Sequence, residues 1–240
     1  MTYFIVGTDT DVGKSFITAA LAISLLREGV KLGVQKWLST GAKGKSLDIE
    51  YIKKAVIKGV NKKKLQNLKL SSPYTFSFPA SPHLAAEIEG KDIDKNRLFE
   101  ESIQLKEKTE ILLIEGIGGL MVPINKNELL IDLIKEIKCH VILVARAGLG
   151  TINHTLLSVE ALKHRNIKLH SLILNDIGFL GQKDLSDSKI KEDNKKIIEH
   201  FSKIPIYGPI PYGKKPWDIE VQKKLKPLIE HLLKTDGNKQ

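Results

Sequence analysis

Nine residues near the start of the chain constrain its fold more than any others: Gly7-Thr8-Asp9-Thr10-Asp11-Val12-Gly13-Lys14-Ser15. They follow the short apolar run Tyr3–Val6 and lead into Ser15–Arg27, where Ile17, Ala20, Leu21, Ile23 and Leu25 give a broad helical face. Strand, glycine-bearing turn and helix in that order make a cradle for phosphate. Unpaired N–H groups at the helix start point at an anion, and the helix dipole favours negative charge there. Gly13 lets the backbone come close. Lys14 brings a positive charge to the β- and γ-phosphates of a nucleotide, and Ser15 offers a hydroxyl to Mg²⁺. Five residues separate Gly7 from Gly13, one more than in the common phosphate loop, and Thr8 stands where the first glycine would fall.

Short β-rich runs recur along the chain at Tyr3–Val6, Lys31–Gln35, Ile111–Ile114, Val141–Ala145, Leu169–Leu174 and Ile204–Ile206. Helix-length stretches separate most of them, at Ser15–Arg27, Asp48–Ile57, Asp94–Lys108, Leu129–Ile137 and Asn153–His164. This alternation predicts an α/β fold with a mainly parallel sheet and helices on both faces. No composition shift marks a linker, so the 240 residues are expected to form a single domain. The hydrophobic fraction of 42% supplies a core and excludes disorder as the main state. No apolar run approaches the roughly 18 residues of a membrane span, so no membrane role is expected. The opening residues lack a basic, secretion-type leader, and the single cysteine, Cys139, can form no internal disulfide. A reducing cytoplasm is the expected location.

The net charge of +10 raises the question of a polyanion partner. Nine lysines crowd between Lys43 and Lys69, facing only Asp48 and Glu50. Arginine is confined to Arg27, Arg97, Arg146 and Arg165, and few aromatics interleave the lysines. Base reading and stacking favour arginine and aromatics, so a solvated lysine-rich surface is expected rather than a nucleic-acid interface.

Three further positions bear on phosphate chemistry. Glu115 closes the run Ile111–Ile114, where a carboxylate can order Mg²⁺ beside the phosphate loop or simply cap a turn. Gly116, Gly118 and Gly119 follow and let backbone approach a ligand. Asp48 opens a helix and reads equally as a metal ligand or an N-cap. Lys36 ends the second strand, ahead of Trp37-Leu38-Ser39-Thr40-Gly41. Ligands of an open parallel sheet bind at the carboxyl ends of strands, which would gather Lys14, Lys36 and Glu115. His83 and His154 lack partners for a triad or metal site, Cys139 reads as a core-edge residue, and Trp217 as ordinary packing.

Taken in order, these segments resemble the dethiobiotin synthetase family. The resemblance rests on the phosphate loop with its five-residue spacing, Lys36 with Ser39-Thr40-Gly41, Pro73-Tyr74-Thr75-Phe76, Pro79-Ala80-Ser81-Pro82-His83, Glu115-Gly116-Ile117-Gly118-Gly119, Leu149-Gly150-Thr151-Ile152-Asn153-His154, Asn175-Asp176 and Pro209-Ile210-Pro211. It spans residues 2 to 218 and implies a P-loop NTPase fold. It implies an ATP- and Mg²⁺-dependent ligase that carboxylates 7,8-diaminononanoate with CO₂ and closes the ureido ring. By the same resemblance Lys14 and Lys36 are catalytic. Asp11, Val12, Gly13, Lys14, Ser15 and Phe16 hold ATP, with Asp48, Glu115, Gly116, Ile117, Gly118, Asn175, Asp176, Pro211, Tyr212 and Gly213. Thr10, Lys36, Thr40, Gly118, Gly150, Thr151 and Asn153 hold the diamine, and Ser15, Asp48 and Glu115 the metal. The family is a homodimer in which Gly150, Thr151 and Asn153 reach the diamine of the other subunit. One departure stands out: Trp37 follows the second lysine, where the family has proline, and its bulk is expected beside the substrate. The competing expectation is a nucleotide switch or partner-binding module on the same fold, which needs neither Lys36–Gly41 nor Leu149–Asn153.

Overall fold

The computed structural model describes residues 1–178 and 185–236. Among the described residues the elements run β1 (Thr2–Gly7), α1 (Lys14–Arg27), β2 (Leu32–Lys36), β3 (Leu38–Ser39), α2 (Leu47–Gly59), α3 (Lys62–Leu65), β4 (Leu68–Ser71), β5 (Tyr74–Thr75), α4 (Pro82–Ile88), α5 (Lys95–Glu107) and β6 (Ile111–Gly119). They continue as α6 (Leu130–Ile137), β7 (His140–Arg146), α7 (Thr151–His164), β8 (Leu169–Asn175), α8 (Leu185–Ser202), β9 (Ile206–Ile210) and α9 (Ile219–Asp236). Seven strands form one sheet in the order β4-β2-β6-β1-β7-β8-β9, and every pairing is parallel. The short β3 and β5 pair separately.

The sheet is buried on both faces, which is why its strands read as nearly continuous apolar runs. Tyr3, Ile5, Leu32, Val34, Ile111 and Leu113 pack beneath α1, α2 and α9. Phe4, Val6, Trp37, Leu112 and Ile114 face the other layer, which α4 to α8 supply. Successive side chains of a strand alternate between faces. Continuing that alternation past Val34 and Leu113 carries Lys36 and Glu115 to the α1 side, where they are register partners on β2 and β6.

Three readings of the strands are corrected. β6 does not end at Ile114; it runs through Glu115 to Gly119 because Gly7 of β1 pairs with Gly119 after a register shift. β4 was not anticipated: its run Leu68-Lys69-Leu70-Ser71 is half-buried, as an edge strand beside β2 can be, and lacks an unbroken apolar signal. The last strand also lies later than Ile204–Ile206, at Ile206–Ile210.

At the opposite end of the sheet from the phosphate loop, three histidines gather. His170 on β8 lies with its ring centre 5.9 Å from that of His140 on β7 and 4.4 Å from that of His231 on α9. Tyr3 of β1 borders His140 and His170, and the Tyr207 hydroxyl of β9 lies 3.4 Å from His231 Nδ1. Burial, reinforced by His231, His140 and Lys168, pushes the His170 imidazole down to about 4. Burial, Lys168 and the chain's terminal ammonium push His140 down as well. An unfolded histidine titrates near 6.5. Above that value both states are neutral and the contribution to stability is complete. As pH falls from 6.5 toward 4 the unfolded chain binds protons the fold does not, so stability is lost by up to ~1.4 kcal/mol per pH unit. The unfolding midpoint is expected to fall by about 3–6 °C between pH 7 and pH 5, and His170→Phe to flatten that slope. Calorimetry showing the same slope in the variant would refute this account.

Candidate active site

The phosphate loop is shaped by two left-handed residues, Asp11 at φ 56° and Gly13 at φ 90°. Alternation of this kind turns consecutive N–H groups toward one side, forming an anion nest. Gly13 is the N-cap of α1 and no side chain caps the helix, so the first N–H groups stay available to a ligand. Gly13 is also required sterically: an added Cβ would lie 2.1 Å from Asn175 Nδ2. That amide donates to the Val12 carbonyl at 3.0 Å and ties the loop to β8. Gly13→Ala is therefore expected to weaken nucleotide binding at least tenfold, measured by titration calorimetry. Retained affinity would show that the loop does not need this contact.

The loop opens on a cavity of about 450 Å³ lined by Thr10, Asp11, Gly13, Lys14, Ser15, Phe16, Lys36, Thr40, Asp48, Tyr51, Ile117 and Gly118. Its floor is a compact charged network. Lys36 Nζ donates to Glu115 Oε1 at 2.8 Å and to the Gly116 carbonyl at 2.9 Å, and lies 3.0 Å from Asp48 Oδ2. Ser15 Oγ lies 2.7 Å from both Asp48 Oδ1 and Glu115 Oε1. Lys14 Nζ donates to the Asp9 carbonyl at 2.9 Å. Burial and the neighbouring Lys36 charge push the Lys14 ammonium down to about 8. Burial opposes the charge on Lys36 too, but Glu115 and Asp48 overcome it and hold the ammonium above its usual range. The Asp48 carboxyl is likewise raised by burial but held below the ordinary range by Lys36 and the Ser15 hydroxyl.

These oxygens suit a divalent cation. One hydroxyl proton can serve only one carboxylate at a time, yet two converge on Ser15. Glu115 Oε2 is buried without a partner. No cluster of three or more His, Cys, Asp or Glu is arranged for a metal among the described residues. Mg²⁺ does not need one, since it takes one or two carboxylates and completes its shell with phosphates and water.

The two readings of Asp48 separate here. Ser46 caps α2, its hydroxyl accepting from the Ile49 N–H, so Asp48 is in the first turn and free to face Ser15 and Lys36. Trp37 corrects another expectation. Its indole is fully buried on the opposite face of the sheet, donating to Ser102 Oγ at 2.9 Å and Gln35 Oε1 at 3.2 Å and meeting Phe4 edge-on. It adds no bulk to the cavity, and its backbone N–H donates to the Glu115 carbonyl, which a proline could not do.

The remaining expected residues lie around this centre. Asn175 reaches the loop itself. Asp176 is paired with Lys191 at 2.6 Å and accepts from the Gly178 N–H. Its own N–H donates to the Ile210 carbonyl, bringing the Pro211-Tyr212-Gly213 loop beside it, and Tyr212 packs over Gly178. Gly150, Thr151 and Asn153 begin α7 and do not line the cavity. Thr151 is buried with its hydroxyl 3.3 Å from that of Thr155, whereas Gly150 and Asn153 are exposed. Tyr51, overlooked in the sequence, lines the cavity three residues after Asp48, a helical spacing that signals a shared face.

The AAA domain family matches residues 1–216. In fold the chain is similar to a MinD septum site-determining protein from Pyrococcus horikoshii (TM-score 0.58, 15% identity, 99% of this chain and 98% of that one). It is similar also to a putative plasmid partition protein from Borrelia burgdorferi (TM-score 0.59, 17% identity, 98% of each chain). At such identities the likeness concerns architecture alone, and it bears out the P-loop fold. Closer in sequence is an ATP-dependent dethiobiotin synthetase of Thermodesulfovibrio yellowstonii, 36% identical and aligned over 88% of each chain. One from Methanococcus vannielii is 35% identical over 92% of this chain and 97% of its own. With a third from Methanocaldococcus jannaschii at 33%, over 93% of this chain and 99% of its own, these matches place the chain in the ATP-dependent dethiobiotin synthetase family.

Proposed function

We propose that the protein catalyses ATP-dependent carboxylation and ring closure of 7,8-diaminononanoate in biotin biosynthesis. The observation that carries the reading is the cluster of Lys14, Ser15, Lys36, Asp48 and Glu115 at the mouth of the phosphate loop, in a chain of this family. One amine of the diamine adds CO₂ to give a carbamate. The carbamate oxygen attacks the γ-phosphorus, ADP leaves, and a carbamic–phosphoric anhydride forms. The second amine attacks the anhydride carbon, phosphate leaves, and the ring closes. Phosphoryl transfer depends on positioning and on cations. The N–H groups from Asp11 to Phe16 seat the phosphates, and Lys14 offsets charge between the transferring groups. Lys36 and Thr40 orient the carbamate, and Thr10 and Gly118 border its path. Ser15, Asp48 and Glu115 would hold Mg²⁺, which when bound supplies positive charge to the phosphate oxygens. Asn175, Asp176 and the Pro211–Gly213 loop form the base side.

The reading includes a homodimer in which Gly150, Thr151 and Asn153 of one subunit reach the diamine of the other. What supports it is that these residues stand apart from their own cavity, near the exposed apolar Leu149, Leu157 and Met121. A cytoplasmic location fits the same reading. Among the described residues no helix is long and apolar enough to cross a membrane. The lone cysteine, Cys139, is buried, its thiol pushed up to about 12.

ADP release by the purified protein should require both the diamine and bicarbonate. ATP turnover indifferent to the diamine would sink the ligase reading and favour a bare nucleotide switch.

A further inference from the structure

Lys36 is placed where a divalent cation is needed. An ammonium has three donors. Those of Lys36 are committed to Glu115 Oε1, Asp48 Oδ2 and the Gly116 carbonyl, all within 3.0 Å. In this arrangement the amine has no donor left for a phosphate or a carbamate. To meet either, it must leave the carboxylates.

It cannot leave them bare. Glu115 is fully buried and Lys36 only 3% exposed. A buried carboxylate stripped of its counter-charge is among the costlier states a fold can adopt. An incoming anion alone does not help, because it adds negative charge beside two carboxylates. A cation that takes their oxygens does. Lys14, Lys36, Asp48 and Glu115 together sum to zero charge at neutral pH, so the resting floor is balanced. A divalent ion there creates a surplus of two positive charges. A triphosphate is the group that uses it.

We infer that Lys36 is the resting counter-cation of Asp48 and Glu115, and that a divalent metal entering with the nucleotide displaces it toward the carbamate. The inference rests on the active-site reading above and adds an order to it. Metal and nucleotide bind together, and the second lysine becomes available only afterwards. Lys36 thereby competes with the metal in the free protein, and the coupling between metal and nucleotide is reciprocal.

The test uses Mn²⁺ alone as the probe, titrated without nucleotide and followed by electron paramagnetic resonance. Lys36→Met and Lys36→Gln remove the competitor, so each is expected to bind Mn²⁺ at least tenfold more tightly than the unaltered protein. Equal or weaker Mn²⁺ binding by folded variants overturns the inference. Should both variants fail to fold, the unaltered protein decides it. Crystals with Mn²⁺ and ADP should show Lys36 Nζ more than 4 Å from both carboxylates. Mn²⁺ bound with both Lys36 contacts still in place overturns it too. Diamine-dependent ATP turnover is measured separately. Its absence, with the Mn²⁺ result intact, removes the ligase reading and leaves the displacement standing.

Discussion

Lys14→Ala is expected to lower ATP turnover by about 10³-fold or more while the unfolding midpoint moves by only a few degrees. The first part follows from its place: the ammonium stands at the open end of the phosphate loop, where charge spreads over the transferring phosphoryl group. The second follows from its surroundings. Lys14 is only 7% exposed. Its burial already disfavours the charge, holding the amine near 8. Among the described residues its ammonium makes one hydrogen bond, to the Asp9 carbonyl, so little native stability departs with it. Steady-state kinetics paired with calorimetry check both halves. Near-normal turnover in a folded variant would remove Lys14 from the chemistry.

Lys36→Ala has a different signature. Nucleotide affinity, measured at Mg²⁺ concentrations that saturate the free protein, should change less than about fivefold while turnover falls by about 10²-fold or more. The side chain faces the carboxylates rather than the loop's N–H groups, so seating of the triphosphate does not depend on it. The amine is needed later, when the carbamate forms its bond to phosphorus. Without metal the same variant removes the cation in direct contact with Asp48 and Glu115 and leaves them only Lys14, and breaking a buried pair costs about 3–5 kcal/mol. It should therefore be markedly less stable in chelator than in Mg²⁺. Parallel loss of affinity and turnover would contradict a role in the carbamate step.

The parts of this site legible in the sequence are those written in a strand's alternation or a loop's glycines. Glu115 and Lys36 follow short β-rich runs in which successive side chains alternate between faces, so their shared face could be inferred once the strands were neighbours. Gly13 announces its left-handed backbone by being glycine. Asp48 was ambiguous because Ser46, two residues earlier, competes for the cap, and only the start of α2 decides between them. The direction of Trp37 was misjudged because its partners Phe4 and Ser102 come from distant segments. The grip of Asn175 on Val12 was invisible for the same reason, since it joins residues 163 apart in the chain. β4, half-buried at the sheet edge, carries too weak a pattern to be read alone.

The central position of β1 has a consequence for how the protein is made. Its two neighbours, β6 and β7, lie more than a hundred residues downstream, and the loop it carries is fastened at Thr8 to Val144 and at Val12 by Asn175. The first strand of this sheet to be synthesised is thus among the last to find its place, and such distant pairings make for slow closure. A nascent chain halted before β6 has already synthesised its nucleotide loop but none of the walls that hold it open. Nucleotide can reward folding only once the chain through Asn175 has emerged, so competence to bind arrives late.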